Sequence, residues 1–255
     1  MIFGFILYPG LGPVKAGPGT LAEKESLYNY IHVVKKDGRI LLYLNEGHGY
    51  HSVYDPNRVL VGGVWDTFLA LPAMSTVADE KMNVLIVGLA GGTIVNQLSY
   101  YWQKSLHIDG IEIDAKIIEA ADRYFALDRR YLDVHIADGR RFLAGADDHY
   151  NVIILDAYKQ PYIPFHLTTV EFFTKCREHL KPGGVLGINV ATFTENPEFL
   201  QMIADTLGTV FPHVYTYEVA NDDVAFKNVV LVAASERPRL KNLEKAFPKG
   251  APGIL

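Results

Sequence analysis

Residues 83–98 read NVLIVGLAGGTIVNQL, an apolar run that stops at Gly88, Gly91 and Gly92 and gives way to an amphipathic segment. That is the pattern of a β-strand feeding a tight turn into a helix. Glycines on such a turn let backbone come close to a ligand. The following helix N-terminus offers N–H groups to a carboxylate or phosphate. The turn alone does not say whether it holds a dinucleotide, a nucleoside donor such as S-adenosylmethionine, or nothing.

Downstream, the alternation repeats. Strand-like runs fall at 83–87, 107–113, 132–136, 150–156, 184–190, 213–219 and 227–234, with helical patterns at 92–103, 115–125, 168–180 and 196–209. Strands alternating with helices predict right-handed crossovers and a doubly wound, mostly parallel sheet. The link ANDDVAF between the last two strands is too short for a parallel crossover, so these two should run antiparallel. The expected fold class is therefore α/β, of the methyltransferase-type Rossmann kind, with an antiparallel strand near the C-terminus. Upstream, YIHVV (30–34) and RILLYL (39–44) flank the turn KKDG, and 62–78 carries apolar positions at helical spacing. The division read from this is an N-terminal tail (1–24), a small antiparallel β domain with a β-hairpin (25–61), a Rossmann-like nucleoside-binding catalytic domain (62–240) and a loosely held C-terminal tail (241–255), Lys/Pro-rich from Arg237 on.

Bulk properties narrow the class. With 49% hydrophobic and 21% charged residues the composition is that of a globular protein. A formal charge of −5, with no lysine- or arginine-rich stripe, gives no reason to expect a nucleic-acid partner. The single cysteine, Cys176, excludes an internal disulfide and a multi-cysteine metal site, and fits a reducing, cytoplasmic setting. The apolar start MIFGFILYPGLG is short and broken by Pro9 and Gly10. It reads either as a tail on the body or as the stub of a trimmed membrane segment, the one route to membrane association. There is no G-x-S-x-G elbow and no Walker loop.

In open α/β sheets the ligand lies beyond the carboxyl ends of the strands. After the first strand of the alternation stand Gly88, Ala90, Gly91 and Gly92. The second ends in GIEID, so that Glu112 can accept from ribose hydroxyls, and the third is followed by Asp138 and Gly139, near where an adenine amine would lie. A strictly spaced G-x-G-x-x-G does not occur, which favours an adenosylmethionine-type nucleoside over NAD. Taken singly, Glu112 and Asp138 also suit the role of helix caps.

These stretches resemble the spermidine synthases (polyamine aminopropyltransferases). ESLYNYIHVV and GRILLYLNEG are similar to that family's N-terminal β-hairpin domain, VLIVGLAGG to its glycine loop, IEID to its donor-binding acid, ADGRRFL to its adenine-side motif and YNVIILDAY to the strand ending in its catalytic aspartate. YKQPYIPFHLTTVEFF followed by LKPGG resembles a divergent branch often fused to membrane segments. The resemblance implies a transferase of polyamine biosynthesis. It would use decarboxylated S-adenosylmethionine, or S-adenosylmethionine, as co-substrate with no metal, act on a putrescine-like amine or other small acceptor, and form a homodimer or homotetramer. Asp156 would be the base or the group orienting the amine. Departures fall on the acceptor side. Gly91 and Lys159 stand where the family carries aspartates. Val64, Trp65 and Asp66 replace a Tyr-His/Gln-Glu segment, and Asn29 replaces a glutamine. Tyr28, Asn29, His48, Asp66 and Tyr158 are the acceptor-pocket candidates, with Glu46, His51 and Tyr162 nearby. His32, His48, His51 and His166 lack a metal-ligand spacing and read as surface or substrate-loop residues. Aminopropyl transfer, methyl transfer from S-adenosylmethionine, and nucleoside binding without turnover all remain open here.

Overall fold

A computed structural model of the chain describes residues 17–45, 49–78, 80–158, 163–193, 198–219, 226–247 and 249. His48, Glu46, Lys159 and Tyr162 lie outside the described residues. An N-terminal four-stranded antiparallel sheet runs β1 (Thr20–Glu25), β2 (Tyr30–Lys36), β3 (Arg39–Leu44) and β4 (Tyr50–Tyr54) in order. Two short helices follow, α1 (Val64–Phe68) and α2 (Ala70–Met74). The remainder alternates β5 (Met82–Val87), α3 (Thr93–Trp102), β6 (Leu106–Glu112), α4 (Ala115–Tyr124), β7 (Leu132–Ile136), α5 (Gly139–Gly145), β8 (Tyr150–Leu155), α6 (Val170–Glu178), β9 (Leu180–Phe193), α7 (Glu198–Gly208), β10 (His213–Glu218) and β11 (Phe226–Ala234).

The seven strands β5–β11 form one sheet in the order β10-β11-β9-β8-β5-β6-β7. β9, β8, β5, β6 and β7 are mutually parallel, while β11 runs antiparallel to both β9 and β10. The strand order reverses between β5 and β8, and a crevice opens at such a switch point. Central strands are buried on both faces, which is why they read as continuous apolar runs. Val84, Ile86, Val152 and Ile154 join a core with α1, α2 and α3, while Leu85, Val87, Ile153 and Leu155 join a second with Phe172, Phe173 and Leu207.

The structure corrects four readings. β1 forms within the stretch read as tail. Its burial does not alternate cleanly, so no period marks it, and it is held by pairing to β2 with Gly19 accepting from the Lys35 N–H. The helix expected over 62–78 is two, because Pro72 cannot donate to the carbonyl of Phe68. α5 has no counterpart among the expected helices; its seven residues are capped by Asp138 and hold only Gly139 and Leu143 in the interior. The C-terminal stretch is anchored rather than loose as far as Phe247; residues 250–255 lie outside the described residues. Arg239 N–H donates to Met74 O at 2.9 Å, and Phe247, 6% exposed, packs its ring 5.2 Å from Trp102 and 5.9 Å from Tyr101. No helix among the described residues is long and apolar enough to cross a membrane.

Candidate active site

The turn after β5 is locked from three sides. Gly88 adopts φ 94° with its N–H on Ile111 O, and a Cβ there would stand 2.6 Å from Asp156 O and 2.8 Å from Ala157 Cα. Gly92, at φ 81°, abuts Leu127. Gly91 donates its N–H to Ser52 Oγ at 2.7 Å, and a Cβ would meet Ser52 Cβ at 2.7 Å and Phe125 Cδ1 at 3.0 Å. Thr93 Oγ1 both accepts from Val53 N–H and donates to Val53 O, each at 2.9 Å. The N-terminal sheet thus clamps the glycine turn through β4.

The carboxyl ends of four parallel strands meet around this turn. Glu112, closing β6, accepts from Ala90 N–H at 3.0 Å through Oε2 and from Asp114 N–H at 3.2 Å through Oε1. Each carboxylate oxygen keeps a second lone pair for a hydroxyl donor. Burial pushes the Glu112 carboxyl up to about 7, against the pull of the Ala90 and Asp114 N–H groups. Ala137 N–H, beyond β7, donates to Glu112 O, and Asp138 follows. Asp138 caps α5, accepting from Arg141 N–H at 2.9 Å, and its other oxygen lies 2.8 Å from His166 Nε2. Burial raises the Asp138 pKa, yet the Arg141 N–H and His166 hold it below the ordinary carboxylate value. Gly139 sits where a Cβ would strike Val87 Cγ1.

Asp156 follows β8, its N–H bonded to Val87 O beside Gly88. Asn189 of β9 donates from Nδ2 to Asp156 Oδ1 at 2.9 Å, and the nearby Trp65 side chain also favours the charged carboxylate. Desolvation lifts the Asp156 carboxyl to about 7, with those two side chains pulling the other way. Tyr158 donates to Asn189 O at 2.8 Å and accepts from Ala191 N–H at 2.7 Å, and burial pushes its phenol upward. Trp65 stacks on Tyr50 with ring centroids 5.9 Å apart.

The other acceptor-pocket candidates sit apart from Asp156 in the hydrogen-bond pattern. Asp66, 6% exposed, accepts from Val61 N–H, Gly62 N–H and Gln97 Nε2. Asn29 bridges Asp114 Oδ2 and Asn45 Nδ2, joining the N-terminal sheet to the cap of α4. Tyr28 is half exposed. Sequence reading misses Trp65 and Asn189 as partners of Asp156 and His166 as partner of Asp138. For Asn189 a signal exists: it is the polar residue in the run GVLGINV, 5% exposed on a buried strand.

Two carboxyls, buried Glu112 and part-buried Asp156, are raised from about 4 to about 7 by desolvation and set a pH dependence. The folded chain binds these protons more tightly than the unfolded one. Their contribution to stability is full below about pH 4 and disappears as pH rises through about 7. Thermal melts of the ligand-free protein should therefore give a lower midpoint at pH 8 than at pH 5.5, and the difference should shrink in Glu112→Gln.

The spermine/spermidine synthase domain model matches residues 66–241. A probable polyamine aminopropyl transferase of Bifidobacterium longum (strain NCC 2705) is 40% identical over 190 residues, covering 74% of this chain and 42% of that protein. A polyamine aminopropyltransferase of Vibrio vulnificus (strain CMCP6) is 31% identical over 242 residues, covering 92% of this chain and 79% of that one. The chain thus spans less than half the length of the first relative and about four-fifths of the second. Among solved structures, a spermidine synthase in complex with the transition-state analogue AdoDATO superposes with a TM-score of 0.70 at 19% identity, covering 90% of this chain and 76% of that one.

Proposed function

Because the chain belongs to the spermine/spermidine synthase family, we propose that it is a transferase moving an aminopropyl group from decarboxylated S-adenosylmethionine to a small, putrescine-like amine. The observation that carries this reading is Asp156. It is a desolvated carboxyl at the switch point, held by Asn189 beside the glycine turn, with the Trp65 side chain nearby. The donor's nucleoside would lie on Gly88–Gly92, its ribose hydroxyls on Glu112 and its adenine towards Asp138.

In the transfer the amine lone pair forms a C–N bond at the aminopropyl carbon as the C–S bond breaks. The electron pair returns to the sulfonium, which leaves as a neutral thioether. The amine must shed a proton, and its free pKa is about 10 if it resembles lysine. A carboxylate with a pKa of about 7 is a useful acceptor near neutral pH. Asn189 Oδ1 is buried without a hydrogen-bond partner among the described residues, which suits a second acceptor for the same nitrogen. Tyr50 and Trp65 would offer aromatic faces to a cationic chain. Exposed Leu27 and Phe165 suit self-association into a homodimer or homotetramer.

Methyl transfer from S-adenosylmethionine is the second reading, and Gly91 favours it. With Ser52 and Phe125 against its Cα, that position has no room for an acidic side chain, so no carboxylate there would repel a donor carboxylate approaching the N-terminus of α3. Calorimetric titration with S-adenosylmethionine, its decarboxylated form and methylthioadenosine separates the two. Tight binding of the latter two with weak S-adenosylmethionine is the expected result. Preference for S-adenosylmethionine would overturn aminopropyl transfer in favour of methyl transfer, and binding of none would remove the nucleoside reading altogether.

A further inference from the structure

On the face of β6 and β7 away from the glycine turn, four ligand-type side chains gather. His107 and Asp109 come from β6, and Asp133 and His135 from the edge strand β7, with Asp109 and Asp133 directly paired. Asp109 is 7% exposed, and both its oxygens are held. Oδ1 lies 2.7 Å from His135 Nε2, and Oδ2 accepts from Tyr150 OH at 3.2 Å. His107 Nε2 stands 3.5 Å from Asp109 Oδ2, and its Nδ1 3.9 Å from Asp133 Oδ2. One ligand atom from each of His107, Asp109 and Asp133 lies within 4.8 Å of the others.

We propose that His107, Asp109 and Asp133 bind a divalent transition-metal ion of the zinc type, with His135 and Tyr150 orienting Asp109. Charge supports this. Among the described residues neither Asp109 nor Asp133 forms an ion pair with lysine or arginine, and Asp148 adds a further negative charge near Tyr150. Among the described residues the nitrogen partners of these two carboxylates are the imidazoles of His107 and His135. An imidazole nitrogen with two carboxylate oxygens is a zinc-, cobalt- or nickel-type donor set rather than one for calcium or copper(I). Metal–ligand bonds of about 2.0–2.2 Å put ligand atoms up to about 4 Å apart. Asp133, with a side chain 70% exposed, closes the remaining gap by rotation. A ligating carboxylate hydrogen-bonded by its neighbours is the usual supporting arrangement of such sites. Asp109 precedes Glu112 by about 10 Å along β6, so the ion would staple the sheet edge rather than join the transfer chemistry.

The test is calorimetric titration of the full chain, free of any histidine tag, with zinc chloride, alongside thermal melts. Saturable one-to-one binding and a raised melting midpoint are expected. His107→Ala/Asp133→Asn should weaken binding at least tenfold, His135→Ala by about tenfold. His149→Ala, which alters the separate pair stacked at 6.1 Å with His179, should leave it unchanged. His107 and Asp133 are exposed enough (side chains 31% and 70%) for the double variant to fold, which circular dichroism checks; if it does not, Asp133→Asn alone serves. No saturable binding, or binding that survives loss of Asp133, overturns the proposal.

Discussion

Replacing Asp156 by asparagine is expected to lower kcat of the proposed transfer by about 10²–10⁴-fold, while calorimetry finds donor binding within about twofold of wild type. Asparagine keeps the shape and can still meet Asn189 and Trp65, but it cannot take a proton from the incoming amine. The wild-type profile of kcat/KM should fall on the acid side through a pKa near 7, the value to which desolvation lifts this carboxyl, and that limb should be lost in the variant. The same change should stabilise the fold above pH 7, because it removes a charge that burial penalises. A variant with slow turnover and a higher melting midpoint at pH 8 is the combined signature. Wild-type turnover in Asp156→Asn would exclude this carboxyl as the base.

The second large effect concerns Gly88. Gly88→Ala should cost about 2–4 kcal/mol of stability and lower donor affinity at least tenfold. The strain has two parts. A φ of 94° lies in the region that side chains rarely adopt, and the new Cβ would run into the Asp156 carbonyl and Ala157 Cα, which are backbone and have no rotamer to yield. Relief requires separating β5 from the end of β8, and that moves the glycine turn away from Asp156. Chemical denaturation and nucleoside titration check the two parts separately. A fully stable Gly88→Ala protein would mean that this turn is less tightly closed than the geometry implies.

The seven-stranded sheet is legible in the strand–helix alternation, because βα crossovers leave few topologies and the short ANDDVAF link requires an antiparallel pair. Gly88, Glu112, Asp138 and Asp156 stand out in the sequence because each closes a strand or stands within two residues of its end, where parallel sheets expose backbone and side chains. Trp65 and Asn189 do not, since their partner Asp156 is distant in sequence and nothing local marks a long-range hydrogen bond. β1 escapes notice because an edge strand without clean alternation reads as tail, and α5 because a helix bounded by glycines and carrying Arg140–Arg141 looks like a turn. Asp66 shows the opposite failure. The resemblance makes it a pocket candidate, as the acid of the family's Tyr-His/Gln-Glu segment, but its oxygens accept from Val61, Gly62 and Gln97.

The contact between Ser52 and Gly91 has a consequence for how this chain can change over evolutionary time. With 2.7 Å between the Ser52 Cβ and the place a Gly91 side chain would begin, neither residue can enlarge alone. Any lineage that places a side chain at 91 must first shrink position 52 and shift Phe125, giving up the hydroxyl that receives the Gly91 N–H. The order of substitutions is therefore constrained, and the intermediate is the less stable protein. Residues 52 and 91 should thus behave as an epistatic pair, one that couples the history of the small N-terminal sheet to that of the glycine turn.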